Sequence, residues 1–132
     1  MPRVAVIDDD TFMRDLLRIH LSGVGLAVDV FEDAAAGIRA ILANRPDLVL
    51  LDIMLSDLGG IEVLAALKYD EATRNIPVVV LTSMSDDSGS SAAQRLGADA
   101  FLNKPMSREE LVGTVQDLLA KSSAGGEAPS AD

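Results

Sequence analysis

The run DLVLLD (residues 47–52) decides the fold, because it contains the most apolar short stretch in the chain and ends on the carboxylate of Asp52. Its Leu and Val residues do not alternate with polar ones, a pattern typical of a strand buried on both faces of a parallel sheet. A second run of this kind, PVVVLT (residues 77–82), ends on the hydroxyl of Thr82. We therefore expect these two strands to be central in the sheet.

Outward from these two runs, strand patterns alternate with helix patterns along the chain. The predicted strands are 3–8, 27–31, 48–52, 77–82 and 99–102, and the predicted helices are 11–22, 33–44, 60–70, 87–96 and 107–121. Strict alternation of this kind indicates an α/β fold in which helices cover both faces of one parallel sheet through right-handed crossovers. The prediction is a doubly wound, five-stranded α/β domain.

Composition narrows the class of protein. The chain has 132 residues, no cysteine and a formal net charge of −10. This length fits a single domain, and the absence of Cys excludes disulfides and thiolate metal sites. The negative charge repels nucleic-acid phosphates, so we expect cations and protein partners and no direct binding of nucleic acid. No apolar run is long enough to span a bilayer, and Met1-Pro2-Arg3 leads straight into a strand, so we expect a cytoplasmic protein without membrane contact.

The end of the chain differs from the rest. Residues 122–132, SSAGGEAPSAD, have no apolar periodicity. Such a segment cannot bury enough apolar surface to offset the entropy of ordering it. We expect residues 1–121 to form the domain and residues 122–132 to be a disordered tail or a severed linker.

Chemically active side chains follow four of the predicted strands. Asp8 and Asp9 come after the first strand, Asp52 ends the third, Thr82 ends the fourth, and Lys104 follows the fifth. The carboxyl ends of parallel strands lie at one edge of the sheet, where open α/β folds bind ligands. We therefore expect these carboxylates, the hydroxyl and the ammonium to converge.

The expected cluster of carboxylates predicts a cation-binding site. Packed like charges are unfavourable, and one carboxyl would have to protonate unless a cation joined the group. Hard oxygen ligands without His or Cys suit Mg²⁺, which commonly bridges carboxylates to phosphate oxygens. The alternative for Asp8, Asp9 and Asp10 is helix capping, and we assign that role to Asp10 alone.

Asp52 has two chemical uses in such a site, as a third metal ligand or as a nucleophile that accepts a phosphoryl group. Lys104 favours the second use, because an ammonium competes with a cation in a metal-only site but neutralises charge on a phosphoryl group. Thr82 can donate its hydroxyl to another phosphoryl oxygen. Pro105 pushes Lys104 into an extended conformation and permits a cis peptide, so the lysine's direction is constrained.

Taken together, these motifs resemble the receiver domain of two-component response regulators. The matching segments are Asp8-Asp9 after a strand, LVLLDIMLSDLGGIEVL around Asp52, VVVLTS around Thr82, and GADAFLNKP around Lys104. The resemblance spans residues 3–121 in order. It implies a flavodoxin-like sheet with strand order 2-1-3-4-5.

The resemblance also implies roles for the acidic residues. Asp52 would accept a phosphoryl group from a histidine kinase or a histidine phosphotransfer protein. Mg²⁺ would be bound directly by Asp9, largely through water by Asp8, and also by Asp52 and the backbone carbonyl of Met54. The protein would then be a switch with slow self-catalysed dephosphorylation, and not an enzyme acting on other molecules.

The remaining implied roles concern the switch. Thr82 and Lys104 would contact the phosphoryl group, and the face formed by the fourth helix, fifth strand and fifth helix would change to bind a target protein. Phe101 stands where many receivers carry Tyr. Because Phe has no hydroxyl, it would signal the change through the position of its ring and not through a hydrogen bond. The run Ser56-Asp57-Leu58-Gly59-Gly60 lacks the proline and one aspartate common in the family, which should loosen this loop.

The first helix predicts a partner surface. It carries more apolar residues than one buried stripe requires, so some must face outward. We expect Phe12, Met13 and Leu16 to form an exposed patch at the mouth of the site. Such a patch would suit the docking of a helical phosphodonor domain.

Two methionines predict a long-lived phosphorylated state. Met54 and Met84 lie two residues past Asp52 and Thr82, where they should flank the approach of water to an aspartyl phosphate. Thioethers cannot orient an attacking water as a carboxylate or amide would, and their bulk partly excludes it. We expect slow self-dephosphorylation.

Three other interpretations remain open. The chain can be the N-terminal receiver of a longer regulator whose output domain has been removed. A haloacid-dehalogenase-like phosphatase also uses a strand-end Asp, a Lys and Mg²⁺, but DDDTF (residues 8–12) fails its Asp-x-Asp-x-Thr/Val motif at the last position. A passive α/β binding module would leave the convergent groups unexplained.

Overall fold

The computed structural model describes residues 1–55, 59–82 and 87–127, which alternate strands and helices as predicted. The strands are β1 (Arg3–Ile7), β2 (Ala27–Phe31), β3 (Leu48–Asp52), β4 (Val78–Thr82) and β5 (Ala100–Asn103). The helices are α1 (Thr11–Ser22), α2 (Ala34–Ala43), α3 (Gly60–Tyr69), α4 (Asp87–Leu96) and α5 (Arg108–Glu127). Each predicted boundary is within one residue of the observed one, except at the end of α5.

The five strands form one parallel sheet in the order β2-β1-β3-β4-β5. This is the predicted doubly wound, flavodoxin-like order. Every residue of β3 and β4 is buried, so the two most apolar runs of the sequence lie inside the sheet as expected. The register pairs Asp52 with Leu81 and Thr82 with Asn103, which brings the carboxyl ends of these strands level.

Two apolar cores lie on opposite faces of the sheet, because alternate residues of each strand point to opposite sides. On one face, Val49, Leu51 and Val80 pack with α2, α3 and α4. On the other face, Leu50 and Leu81 pack with α1 and α5. Both faces are therefore covered, as a parallel sheet requires.

Helix α1 buries one stripe of apolar residues, namely Met13, Leu17 and Leu21, against the sheet. The expectation that Met13 faces outward is therefore wrong, because spacings of four residues place it on the same helix face as Leu17 and Leu21. Phe12 is 71% exposed and Leu16 is half-buried. The exposed side of α1 also carries Ile19, which is 65% exposed.

The start of α1 is capped as predicted. Asp10 Oδ1 accepts hydrogen bonds from the backbone N–H groups of Phe12 and Met13, at 3.0 and 3.4 Å. A reciprocal box opens α5, where Glu110 N donates to Ser107 Oγ at 3.0 Å. These caps satisfy N–H groups that have no partner inside the helix.

Helix α5 is longer than predicted, since it ends at Glu127 and not at residue 121. The sequence prediction followed apolar periodicity, which ends near Leu119. An existing helix gains a hydrogen bond for each added residue without a new nucleation cost, so it can continue past its last packed residue. In the described ranges, no helix is both long and apolar enough to cross a membrane.

Candidate functional site

The predicted site residues lie together at the carboxyl edge of the sheet. Asp8 follows β1, Asp52 ends β3, Thr82 ends β4, and Lys104 follows β5. The strands β1, β3, β4 and β5 are consecutive neighbours in the sheet, so their ends form a continuous row. The topology therefore brings together groups that are far apart in the sequence.

The three carboxylates form one cluster. Oxygen atoms of Asp8, Asp9 and Asp52 all lie within 4.8 Å of one another. Asp8 is fully buried and Asp52 is 6% exposed, whereas Asp9 is exposed. Two charges are thus held out of water, and the third opens the cluster to solvent.

Asp8 is anchored by its neighbours, and its second carboxylate oxygen faces Lys104. Its backbone N donates to Phe31 O at 3.1 Å, and its Oδ1 accepts from Asp10 N at 2.9 Å. Its Oδ2 is buried and accepts no hydrogen bond of good geometry from the described residues. The nearest charge to this atom is the Lys104 ammonium, 2.7 Å away.

Lys104 bridges two of the carboxylates. Its Nζ lies 2.7 Å from Asp8 Oδ2 and 3.1 Å from Asp52 Oδ2. Its backbone N donates to Thr82 O at 2.7 Å, and the Lys104–Pro105 peptide is cis, as the sequence permitted. Burial acts to lower the pKa of Lys104, but the two carboxylates outweigh burial, and the pKa lies above its ordinary value.

Asp52 is held in an environment that opposes its charge. Burial is the largest effect and raises its pKa, while a hydrogen bond from Met54 N to Oδ1, 3.0 Å long, lowers it. Asp8 raises the pKa further and Lys104 lowers it, and the result is a pKa of about 6, above the ordinary 3.8. The carboxylate is therefore ionised near neutral pH but less strongly hydrated than a surface aspartate.

Thr82 has a partner that the sequence reading missed. The side chain of Thr82 is buried, and its Oγ1 donates to Asn103 Oδ1 at 2.9 Å. Asn103 is paired with Thr82 in the β4–β5 register. The sequence feature that could have indicated this contact is Asn103 itself, a polar residue at the end of an otherwise apolar strand.

The other predicted residues lie around this centre. Phe101 is on β5 and is 37% exposed, and Met54 follows β3 and is 65% exposed. Met84 lies outside the described residues. Residues 56–58, in the loop that departs from the family pattern, also lie outside them. The predicted pair of flanking methionines is thus described only for Met54.

The donor set fits a hard divalent cation. Carboxylate oxygens are the ligands that Mg²⁺ prefers, and Asp8, Asp9 and Asp52 bring three of them within 4.8 Å of one another. The open side at Asp9 leaves room for the waters that Mg²⁺ usually keeps. The cluster can therefore hold a metal ion beside Asp52.

Comparison with known proteins agrees with this geometry. The family model described as "Response regulator receiver domain" matches residues 4–116. The transcriptional regulator RpaA of Synechocystis is 36% identical over 121 residues, which cover 92% of this chain and 50% of RpaA. The response regulator MprA of a Mycobacterium species is 37% identical over 121 residues, which cover 92% of this chain and 52% of MprA. The chain thus spans about half the length of these relatives.

A solved structure gives the same result. The receiver domain of NtrX from Brucella abortus is 31% identical and superposes with a TM-score of 0.83, covering 89% of this chain and 98% of that one.

RpaA is described as DNA-binding. The expectation that this protein makes no direct contact with nucleic acid, drawn from net charge, is therefore not supported by its relatives.

Proposed function

This chain belongs to the response regulator receiver domain family, and on that premise we propose that it is a phosphorylation switch whose phosphoacceptor is Asp52. The phosphoryl donor is a histidine kinase or a histidine phosphotransfer protein. One observation carries the proposal: Asp52 is 6% exposed and lies at the focus of the carboxylate cluster, with Lys104 Nζ 3.1 Å from its Oδ2.

Phosphoryl transfer forms a bond between an Asp52 oxygen and phosphorus and breaks the bond between phosphorus and the donor imidazole. Asp52 must be ionised to supply the electron pair, and a pKa of about 6 leaves it ionised above that pH. Asp8, Asp9, Asp52 and the backbone carbonyl of Met54 would hold Mg²⁺, which neutralises phosphoryl oxygens when bound. Lys104 pairs with a phosphoryl oxygen as the new group takes up its charge.

In this proposal, phosphorylation of Asp52 changes the structure through Thr82 and Phe101. In the structure the Thr82 hydroxyl donates to Asn103, so reaching a phosphoryl oxygen requires exchanging that hydrogen bond. Phe101 is on the neighbouring strand with its ring partly in solvent, so it can turn inward when the end of β4 moves. The face formed by α4, β5 and α5 then presents a different shape to a target protein.

The donor docks on the exposed side of α1. Phe12 and the half-buried Leu16 are one helical turn apart, and Phe12 lies in the first turn after the Asp8–Asp10 segment. Met13 is excluded from this surface by its burial. The smaller patch still suits an amphipathic helix of a phosphodonor domain.

Met54 and Met84 slow the loss of the phosphoryl group. The exposed Met54 side chain follows the phosphoacceptor by two residues and offers water no carboxylate or amide to orient it. We expect Met54→Asn combined with Met84→Glu to shorten the half-life of phosphorylated Asp52, measured by the decay of the phosphorylated mass. An unchanged half-life in the double variant would remove both methionines from the proposal.

The chain works either alone or as the N-terminal receiver of a longer regulator. The second form is favoured by its coverage of about half of RpaA and MprA. In that form, the DNA-binding described for RpaA would belong to a further domain. The family match over residues 4–116 argues against the phosphatase interpretation.

The test is phosphorylation by a small-molecule donor. Wild-type protein incubated with Mg²⁺ and acetyl phosphate should gain the mass of one phosphoryl group. Asp52→Asn should gain none while keeping its far-UV circular dichroism, and Asp117→Asn, an exposed aspartate on α5, should behave as wild type. Labelling of Asp52→Asn, or failure of the wild type to label, would contradict the proposal.

A further inference from the structure

Arg14 lies beside the acidic cluster and has no part in the proposed chemistry. Its side chain is 13% exposed. Its Nη1 donates to the backbone carbonyl of Asp8 at 2.7 Å, and its Nη2 donates to Thr11 Oγ1 at 3.1 Å. The guanidinium therefore joins the first turn of α1 to the residue that follows β1.

This placement is electrostatically costly. The first turn of a helix carries partial positive charge, so a cation there is unfavourable, and burying a cation adds a desolvation penalty. The available ion pair is weak, because Glu32 Oε2 is 3.9 Å from Arg14 Nη2 and the Glu32 side chain is 74% exposed. The shortest contact of the guanidinium is with an uncharged carbonyl, so charge pairing does not account for its position.

The contact with the Asp8 carbonyl concerns two carboxylates of the cluster at once. The carbonyl of Asp8 and the N–H of Asp9 belong to one planar peptide, so a bond to this carbonyl orients the peptide from which both residues project. Asp8 is otherwise held through its own N and Oδ1 and through the ion pair of its Oδ2 with Lys104. The exposed Asp9 carboxylate has no hydrogen bond of its own in the described ranges, so the peptide before it is its main restraint.

We infer that Arg14 is a positioning residue for the divalent cation: it holds the Asp8–Asp9 peptide so that both carboxylates converge with Asp52. The inference rests on the proposed function, in which these carboxylates hold Mg²⁺. Arg14 contacts a backbone carbonyl and not a carboxylate oxygen, so it does not occupy a ligand atom that the metal needs. Lys104, in contrast, occupies oxygens of both Asp8 and Asp52.

If Arg14 acted only through its charge, its removal would change the Mg²⁺ affinity in the opposite direction. Removing a positive charge next to a carboxylate cluster strengthens the attraction for a cation, so loss of Arg14 would tighten metal binding. Loss of positioning weakens it, because outer contacts that orient metal ligands typically change affinity by about 10- to 100-fold. The direction of the change in Mg²⁺ affinity therefore distinguishes the two accounts.

The experiment is calorimetric titration of the whole chain with MgCl₂ at constant ionic strength. Arg14→Met keeps the length of the side chain and removes its donors and charge, while Arg14→Lys keeps the charge and can donate to Asp8 but not to Thr11 as well. The matched control is Arg18→Met, which removes the same charge one turn later from an exposed pair with Asp15 at 3.0 Å. Amide NMR spectra without metal establish that each variant is folded.

We expect Arg14→Met to raise the dissociation constant for Mg²⁺ about tenfold and Arg14→Lys to raise it less. Arg18→Met should change it less than about twofold, since exposed charges are screened. Unchanged or tighter binding in Arg14→Met would overturn the inference. If that variant does not fold, wild-type affinity in Arg14→Ala, which also lacks a donor to the Asp8 carbonyl, would do the same. Absence of Mg²⁺ binding by the wild type would instead refute the metal site of the proposed function.

Discussion

At the residue scale, Asp52 is a buried carboxylate whose ionised form is opposed by some neighbours and supported by others. Burial and Asp8 oppose its charge, while Met54 N–H and Lys104 support it. Such a group remains ionised at neutral pH and yet gains from any cation or phosphoryl transfer that disperses its charge. Because its pKa is raised in the folded protein, the titration of Asp52 makes the free energy of unfolding depend on pH.

The first prediction is a pH-dependent stability difference between the wild type and Asp52→Asn without metal. The pKa of Asp52 is about 6 in the folded protein and has an ordinary value of 3.8, so the folded state binds the proton more tightly. The resulting stabilisation is present below about pH 4 and is lost as pH rises through 6. We expect the wild type to lose on the order of 3 kcal/mol relative to the variant over this window.

Chemical denaturation in EDTA at several pH values between 4 and 8 measures this difference. Asp117→Asn controls for the loss of a surface charge. A difference between wild type and Asp52→Asn that stays constant with pH would show that the folded environment does not perturb Asp52.

At the element scale, the start of α3 is pressed against the end of β3. Gly60 N donates to Ile53 O at 3.0 Å, and a Cβ at Gly60 would overlap the carbonyl oxygen of Asp52 and the backbone of Ile53. The position of Asp52, the proposed phosphoacceptor, therefore depends on a glycine in the next element.

The second prediction compares Gly60→Ala with Gly113→Ala. The added methyl at Gly60 must displace α3 or the end of β3, so we expect a loss of about 1–3 kcal/mol in the free energy of unfolding and slower labelling of Asp52. Gly113 lies within α5, where a Cβ would meet no atom within 4 Å, so Gly113→Ala should stabilise the fold by about 0.5–1 kcal/mol. Urea denaturation measures both, and a neutral Gly60→Ala would disprove the close contact.

At the scale of the whole molecule, metal binding at the carboxylate cluster would be linked to folding. Oxygen atoms of three carboxylates lie within 4.8 Å of one another in the fold, a repulsion that the folded state must bear when no cation is bound. A cation that binds only the folded protein relieves this repulsion and stabilises the entire domain, by about 2.7 kcal/mol at a concentration 100 times its dissociation constant.

The third prediction is that Asp9→Asn reverses its effect on stability when Mg²⁺ is added. In EDTA the variant should melt at a higher temperature than the wild type, because one of the crowded charges is gone. At millimolar Mg²⁺ the wild type should gain more than the variant, which has lost a ligand. Differential scanning calorimetry in the two buffers tests this, and a variant that melts lower in EDTA would mark Asp9 as structural.

Much of the fold and of the site follows from local pattern in the sequence. The uninterrupted apolar runs around Leu50 and Val79 specify buried parallel strands, because burial on both faces removes any alternation. Once strands and helices alternate, all strand ends share one edge, so the meeting of Asp8, Asp52 and Lys104 could be predicted from their place after apolar runs.

Only the tertiary structure decided which side chains meet within that frame. Met13 and Phe12 are adjacent apolar residues, and the docking of α1 on the sheet buries the first and exposes the second. The contact of Thr82 with Asn103 depends on strand register, and that of Arg14 with the carbonyl of Asp8 depends on how α1 leaves the sheet. Periodicity is a property of neighbours along the chain, whereas these contacts depend on the angle and distance at which separate elements pack.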